Sequence, residues 1–166
     1  MVSNQRKVKI NDIVMRIRDV DGEGPHPVIL LLHGWTGDEN AMWVFAPRLP
    51  KDALLVAPRG IFKTPLGGYG WHSQISGTWP WVDDFLPAIE LLQELINVKN
   101  FPGSDLTRLS FVGFSQGAAL SFAFFMQHPY MVKCVAGLSG FLPQGAEALA
   151  RNKPLQDKNI FIAHGN

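Results

Sequence analysis

Five consecutive residues, Gly113-Phe114-Ser115-Gln116-Gly117, have the spacing of a nucleophile held in a sharp turn. They follow the apolar run Leu109-Ser110-Phe111-Val112 and precede a helix-forming run that ends at Gln127. A Gly-x-Ser-x-Gly pattern arises often by chance, but between a strand and a helix it has a physical meaning. Turning the chain so abruptly crowds the backbone, so the neighbours of the serine must be tiny. Gly113 and Gly117 have no β-carbon to collide, and Ala118 and Ala119 let the helix lie close on the sheet. The expected result is a strained Ser115 whose hydroxyl stands above the strand's C-terminal edge, at a helix N-terminus. The chemistry this suits is acyl transfer through a covalent acyl-serine.

A tetrahedral intermediate needs two backbone N–H donors converging on its oxyanion. One normally comes from the residue after the nucleophile, here Gln116, and the other from a loop after an early strand. His33-Gly34-Trp35-Thr36-Gly37 directly follows the apolar run Pro27 to Leu32 and occupies that loop. The N–H of Trp35 is the candidate second donor, defined to within one residue, with Gly34 letting the backbone approach a substrate. His33 reads as a residue that holds the loop rather than as the base.

Between Lys63 and Trp81 the chain is rich in Gly and Trp and poor in pattern. Long irregular loops inside a domain are more often functional than not. Trp71 and His72 in this loop are the candidate substrate contacts. Trp35, Trp43, Trp79 and Trp81 also fall in or beside loops expected at the active-site edge. Of the histidines other than His33, His72 is the least implausible substitute base, whereas His26, His128 and His164 are expected elsewhere or in structural roles. No metal or cofactor is expected: the chain has no His-Glu-x-x-His pair, no paired-Cys spacing, no EF-hand loop and no phosphate loop at Gly67-Gly68-Tyr69-Gly70.

These residues need a scaffold to position them. Val8, Ile10, Val14, Met15 and Ile17 are interleaved with polar residues and predict one partly exposed strand near a sheet edge. Pro27 to Leu32, Leu54 to Ala57, Leu109 to Val112, Val135 to Leu138 and Asn159 to Ala163 are short apolar runs. Each empties into a loop of Gly, Pro or polar residues, and such runs suit strands covered on both faces. Val82 to Val98 has apolar residues at helical spacing, with Asp83 and Asp84 near its start to favour the helix dipole. The run from Gly117 to Gln127 is apolar nearly all round and should be a buried helix ended by His128-Pro129. This alternation predicts a mostly parallel sheet flanked by helices, in a single domain spanning residues 1–166.

Composition narrows the partners. The 166 residues are 46% hydrophobic and 17% charged with a net charge of +1, and no basic patch points to nucleic acid. The one cysteine, Cys134, cannot close an internal disulfide; it reads as a buried small hydrophobe and is compatible with a reducing compartment. No apolar leader segment and no run of about 18 apolar residues is visible, so a cytoplasmic protein without a membrane span is expected.

Six stretches taken jointly resemble one family. They are His33-Gly34-Trp35-Thr36-Gly37-Asp38, Ala57-Pro58-Arg59-Gly60, Gly67-Gly68-Tyr69-Gly70-Trp71, Gly113 to Ala119, Leu138-Ser139-Gly140-Phe141-Leu142-Pro143 and Ile162-Ala163-His164-Gly165. They occur in the order found in the phospholipase/carboxylesterase family of α/β-hydrolases, which includes acyl-protein thioesterases and bacterial carboxylesterases. The resemblance implies the α/β-hydrolase fold, hydrolysis of carboxylic esters or thioesters through an acyl-enzyme on Ser115, and Trp35 with Gln116 as the oxyanion pair. It also makes His164 structural.

One departure matters. In that family the last motif runs on through two residues to the catalytic Asp, and a further strand and a Gly-His pair supply the base. Asn166 comes before either. The expectation is therefore a chain lacking the family's last strand and helix, with the triad Asp and His supplied by a longer polypeptide, a second fragment or another chain. A homodimer is left open. Ile160-Phe161-Ile162 would then form an exposed apolar sheet edge. Without its base, such a serine loses roughly 10⁴–10⁶ in turnover. The expected function is a serine esterase acting on a small-molecule ester with a short or medium acyl group. The alternatives are an acyl-thioesterase or lysophospholipase, and a catalytically dead binder of an acyl ligand or partner.

Overall fold

The alternating apolar residues at the N-terminus form a hairpin, β1 (Gln5–Ile10) and β2 (Ile13–Arg18), rather than the single strand expected over Val8 to Ile17. Asn11 and Asp12 turn the chain, both at positive φ (48° and 64°). Two consecutive left-handed residues make the tight turn whose twist matches that of paired strands, and Asn and Asp adopt it most readily after glycine. The computed structural model describes residues 4–73, 78–152, 155 and 158–165. Residues 74–77 of the Gly- and Trp-rich loop, and Asn166, lie outside the described residues.

Four further strands follow the apolar runs: β3 (His26–Leu32), β4 (Leu54–Pro58), and, after the two-residue pair β5 (Phe62–Lys63) and β6 (Tyr69–Gly70), β7 (Ser104–Phe114) and β8 (Cys134–Leu138). With β9 (Asn159–Ala163) they build a seven-stranded sheet of order β1-β2-β4-β3-β7-β8-β9. The five strands from β4 across to β9 are mutually parallel, and β2 joins β4 antiparallel.

Side chains on a strand alternate between the two faces, and β3 shows both faces covered. Val28, Leu30 and Leu32 join a core containing Phe85, Ile89, Phe111 and Phe124, while Ile29 and Leu31 pack with Met42, Ala46 and Leu55. This two-sided burial is why the run Pro27 to Leu32 carries no polar alternation. The first face is covered by α1 (Leu86–Leu95) and α2 (Gln116–Gln127), whose residues from Gln116 to Met126 are all buried. The second is covered by a 3-10 helix over Ala41–Arg48 that the sequence did not suggest, since Pro47 and the short length mask its periodicity.

Three other differences are local. The helix expected from Val82 opens as a 3-10 turn over Val82–Phe85 and becomes α-helical only from Leu86, ending at Leu95. A short α3 (Ala146–Asn152) follows β8. Cys134, expected to be buried, is only half-buried on β8, and its partial desolvation raises the thiol pKa. β9 is the outer strand on its side, with Ile160, Phe161 and Ile162 exposed by 45%, 58% and 64%. Among the described residues no helix is long and apolar enough to cross a membrane.

Candidate active site

Ser115 sits between the end of β7 and the first residue of α2, at φ 52° and ψ −114°. A non-glycine residue there is strained, at a cost of about 1–3 kcal/mol that the surroundings must offset. They do so through the backbone: the Ser115 N–H donates to the Leu138 carbonyl at 2.8 Å, and its own carbonyl accepts from Ala118 and Ala119. The turn is also wedged from below. A β-carbon on Gly117 would lie 2.1 Å from the Leu32 carbonyl oxygen, so α2 begins against the end of β3 with no room for a side chain. The strain and tiny neighbours expected at the elbow are both present.

The end of β3 leads into the loop that carries Trp35. Gly34 faces the elbow so closely that a β-carbon would meet the Phe114 ring at 3.0 Å and the Ser115 β-carbon at 3.3 Å. Thr36, at φ 67°, turns the loop, and the Gly37 N–H closes it on the Gly34 carbonyl at 3.1 Å. Among the described residues, neither the Trp35 nor the Gln116 backbone N–H donates to a protein acceptor. For Gln116 the reason is general, since the first N–H groups of a helix have no partner within it. Gln116 directly follows Ser115, and Trp35 directly follows Gly34, which packs on Ser115, so both unengaged N–H groups belong to the segments that meet at the elbow.

His33 is fully buried and holds this loop. Its Nε2 accepts the Gly60 N–H at 2.8 Å, which places the proton on Nδ1, where it is donated to the Gly34 carbonyl at 2.7 Å. Burial lowers its pKa and favours this neutral form. With both nitrogens engaged, His33 has none to offer Ser115.

Trp71 and His72, expected as substrate contacts, are packed against the loop that carries Trp35. Both are buried, at 0% and 5% exposure. The short β5–β6 ribbon explains this: the Tyr69 N–H donates to the Gly37 carbonyl at 2.9 Å, so the chain after it runs beneath the Trp35 loop. There the Trp71 indole N–H donates to the His33 carbonyl at 2.8 Å, and its backbone N–H donates to Oε1 of Gln116 at 2.7 Å. His72 lies edge-on to Phe85 and roughly parallel to the Trp35 ring, with centroids 4.8 and 6.4 Å away. Its Nδ1 has no partner among the described residues. Trp71 thus supports the loop from below, while His72 also borders a small pocket with Ser73, Thr78, Pro80 and Asp84.

The other tryptophans divide. Trp79 and Trp81 are about half exposed, Trp79 beside Phe141 with its N–H on the Leu142 carbonyl. Trp43 instead points to the sheet's outer strands, donating to Gln5 with Arg16 over its ring. A cleft of about 330 Å³ does open beside the elbow, walled by Trp35, Ala41, Met42, Val44, Phe45 and Phe114. Its wall from the 3-10 helix was missed in the sequence, although the apolar residues of Ala41 to Phe45 were the signal. Among the described residues no group of three or more His, Cys, Asp or Glu gathers as a metal site, and no hydrogen bond reaches the Ser115 hydroxyl.

Comparison with known proteins places this geometry. A family model described as phospholipase/carboxylesterase matches residues 19–166. A carboxylesterase from Mesorhizobium loti superposes with a TM-score of 0.79 at 24% identity, over 96% of this chain and 74% of that one. The Bacillus cereus carboxylesterase gives 0.71 at 16% identity, over 98% and 85%. Acyl-protein thioesterase 2 of Zea mays gives 0.62 at 18%, over 90% and 74%. At these identities the likeness establishes the fold. A sequence comparison with curated proteins gives no match.

Proposed function

Because the chain belongs to the phospholipase/carboxylesterase family and has the α/β-hydrolase fold, we propose that it is a serine hydrolase cleaving carboxylic esters through an acyl-enzyme on Ser115. The observation that carries this reading is the strained Ser115 packed against Gly34, with the N–H groups of the adjoining Trp35 and Gln116 unengaged. In the first step the Ser115 oxygen attacks the acyl carbon while a base takes its proton. The carbonyl oxygen becomes an oxyanion held by the two N–H groups, and the alcohol leaves with the proton. Water then repeats the sequence on the acyl-serine and releases the acid.

The base is proposed to be a His oriented by a carboxylate, and it is not His33, whose two ring nitrogens are both engaged. The acyl group is assigned to the cleft beside Phe114, whose apolar walls and volume of about 330 Å³ suit a short or medium chain. A thioester would present the same acyl half, so the leaving group is the open part of the substrate. Residues 1–166 act as one domain in this reading.

A fluorophosphonate reagent tests it. An adduct on Ser115 of the folded protein, absent in Ser115→Ala, is the expected outcome. Folded protein that includes the proposed His and its carboxylate and still takes no adduct overturns the proposal in favour of a binding protein on the hydrolase scaffold.

A further inference from the structure

Both ends of the Trp35 loop are tied to one short segment, Pro58-Arg59-Gly60 at the end of β4. At the loop's start, His33 accepts the Gly60 N–H at 2.8 Å. At its end, Glu39 accepts two bonds from Arg59, from Nε at 2.7 Å and Nη2 at 2.9 Å. Lys7 of β1 closes on the same carboxylate. The Arg59 guanidinium also lies 4.6 Å over the Tyr69 ring and donates to its hydroxyl at 3.1 Å. Tyr69 in turn donates its N–H to the Gly37 carbonyl at 2.9 Å. One side chain thus grips the loop at its end directly and at its middle through Tyr69.

A fully buried carboxylate is a poor source of stability, since desolvation offsets most of the attraction of its partners. What the planar two-pronged contact supplies is orientation. The loop needs it: Gly34 and Gly37 have little intrinsic preference, and Thr36 is held at positive φ. An oxyanion donor works only if it is in place before the reaction.

We infer that Arg59 and Glu39 are positioning residues that hold the Trp35 N–H on the oxyanion, acting through Tyr69 and Gly37 without touching substrate. The inference rests on Trp35 being the oxyanion donor of the proposed reaction.

Arg59→Lys keeps the charge and loses the fork; Glu39→Gln keeps the shape and loses the charge. In each, amide hydrogen exchange across residues 33–39 is measured beside the fluorophosphonate labelling rate of Ser115 and kcat and KM for a short ester. Exchange in the loop should quicken at least about tenfold while β3 and β4 stay protected, and labelling and kcat should fall about tenfold at unchanged KM. A residue that only stabilised the fold would lower Tm and leave kcat per folded molecule alone. Unchanged exchange in the loop overturns the inference, and so does faster exchange with unchanged labelling and kcat. Should both variants fail to fold, Tyr69→Phe removes only the hydroxyl, and a flat result there overturns it too. Wild-type protein that takes no label while the variants loosen the loop sinks the esterase reading and leaves the tie itself standing.

Discussion

Gly34 and Ser115 approach so closely that a β-carbon on Gly34 would stand only 3.3 Å from that of Ser115, a tight contact that its neighbours must give way to accommodate. The two belong to segments about eighty positions apart, brought together because β3 and β7 are adjacent and parallel with their ends in register. The elbow and the loop that would hold its oxyanion are therefore one packed unit. Disturbing either should show in the other.

Gly34→Ala is the most direct test of that unit. The backbone there tolerates alanine, and the nearest atom, on the Phe114 ring, belongs to a side chain 43% exposed that can turn aside. The fold should survive while the Trp35 N–H is pushed off line, lowering kcat/KM on a short ester by about 10- to 100-fold. Ester kinetics beside a thermal melt decide it; unchanged turnover would show that the close approach serves packing alone.

Ser115 should be a site where function opposes stability. Its φ of 52° and ψ of −114° strain any residue with a β-carbon. Ser115→Ala keeps the strain and Ser115→Gly relieves it, though glycine also frees the unfolded chain. Net, the glycine variant should be more stable than the alanine variant by about 1 kcal/mol, or roughly 2–4 °C in Tm. Urea midpoints of the two inactive proteins give the comparison, and an alanine variant as stable as the glycine one refutes the strain.

Filling the cleft should sort substrates by length. Ala41 is an exposed wall residue on the 3-10 helix, so Ala41→Trp should cost little stability. Turnover of acetyl esters should stay near wild type, while that of longer acyl esters falls about tenfold or more, as a lost hydrophobic subsite does. A series of p-nitrophenyl esters measures it, with matched acyl-thioesters resolving the leaving group. A uniform change across chain lengths would place the acyl group elsewhere.

Acid should expose the Glu39 contact. The Arg59 hydrogen bonds, with help from Lys7, lower the Glu39 pKa from 4.5 to about 2 against the opposing effect of burial. As pH falls, the unfolded chain takes up this proton near 4.5 and the folded protein only near 2. The group's contribution is therefore complete above 4.5 and is lost as pH drops toward 2. The urea midpoint of wild type relative to Glu39→Gln should shrink over that window, and a constant difference would contradict the shift.

Legibility followed the range of the forces. The elbow was readable because its constraint is local: a strand, two glycines about a serine and a small-residue helix start must fit within a few positions, whatever the rest of the chain does. The strands β3 and β4 were readable because burial on both faces removes polar residues from short runs, and β7 and β8 because their short apolar runs empty into Gly- or Ser-containing turns. The hairpin at Asn11-Asp12 was missed although its turn residues were plain, because apolar residues continue on either side and mimic one strand. Arg59 and Glu39 were invisible as a pair, since neither charge implies the other twenty positions away.

The sequence alone therefore determined the elbow at Ser115, the loop that packs against it and the layered architecture, all of which rest on short-range sterics or on periodic burial. Tertiary structure alone decided what lies beneath that loop. Trp71 and His72 sit in a glycine-rich stretch that looks like a surface wall, yet pairing of Tyr69 with Gly37 draws them under it, where Trp71 bonds His33 and Gln116. Whether an aromatic side chain faces solvent or supports a loop depends on which distant backbone groups its neighbours pair with. Three-dimensional contact fixes that pairing, and no spacing along the chain records it.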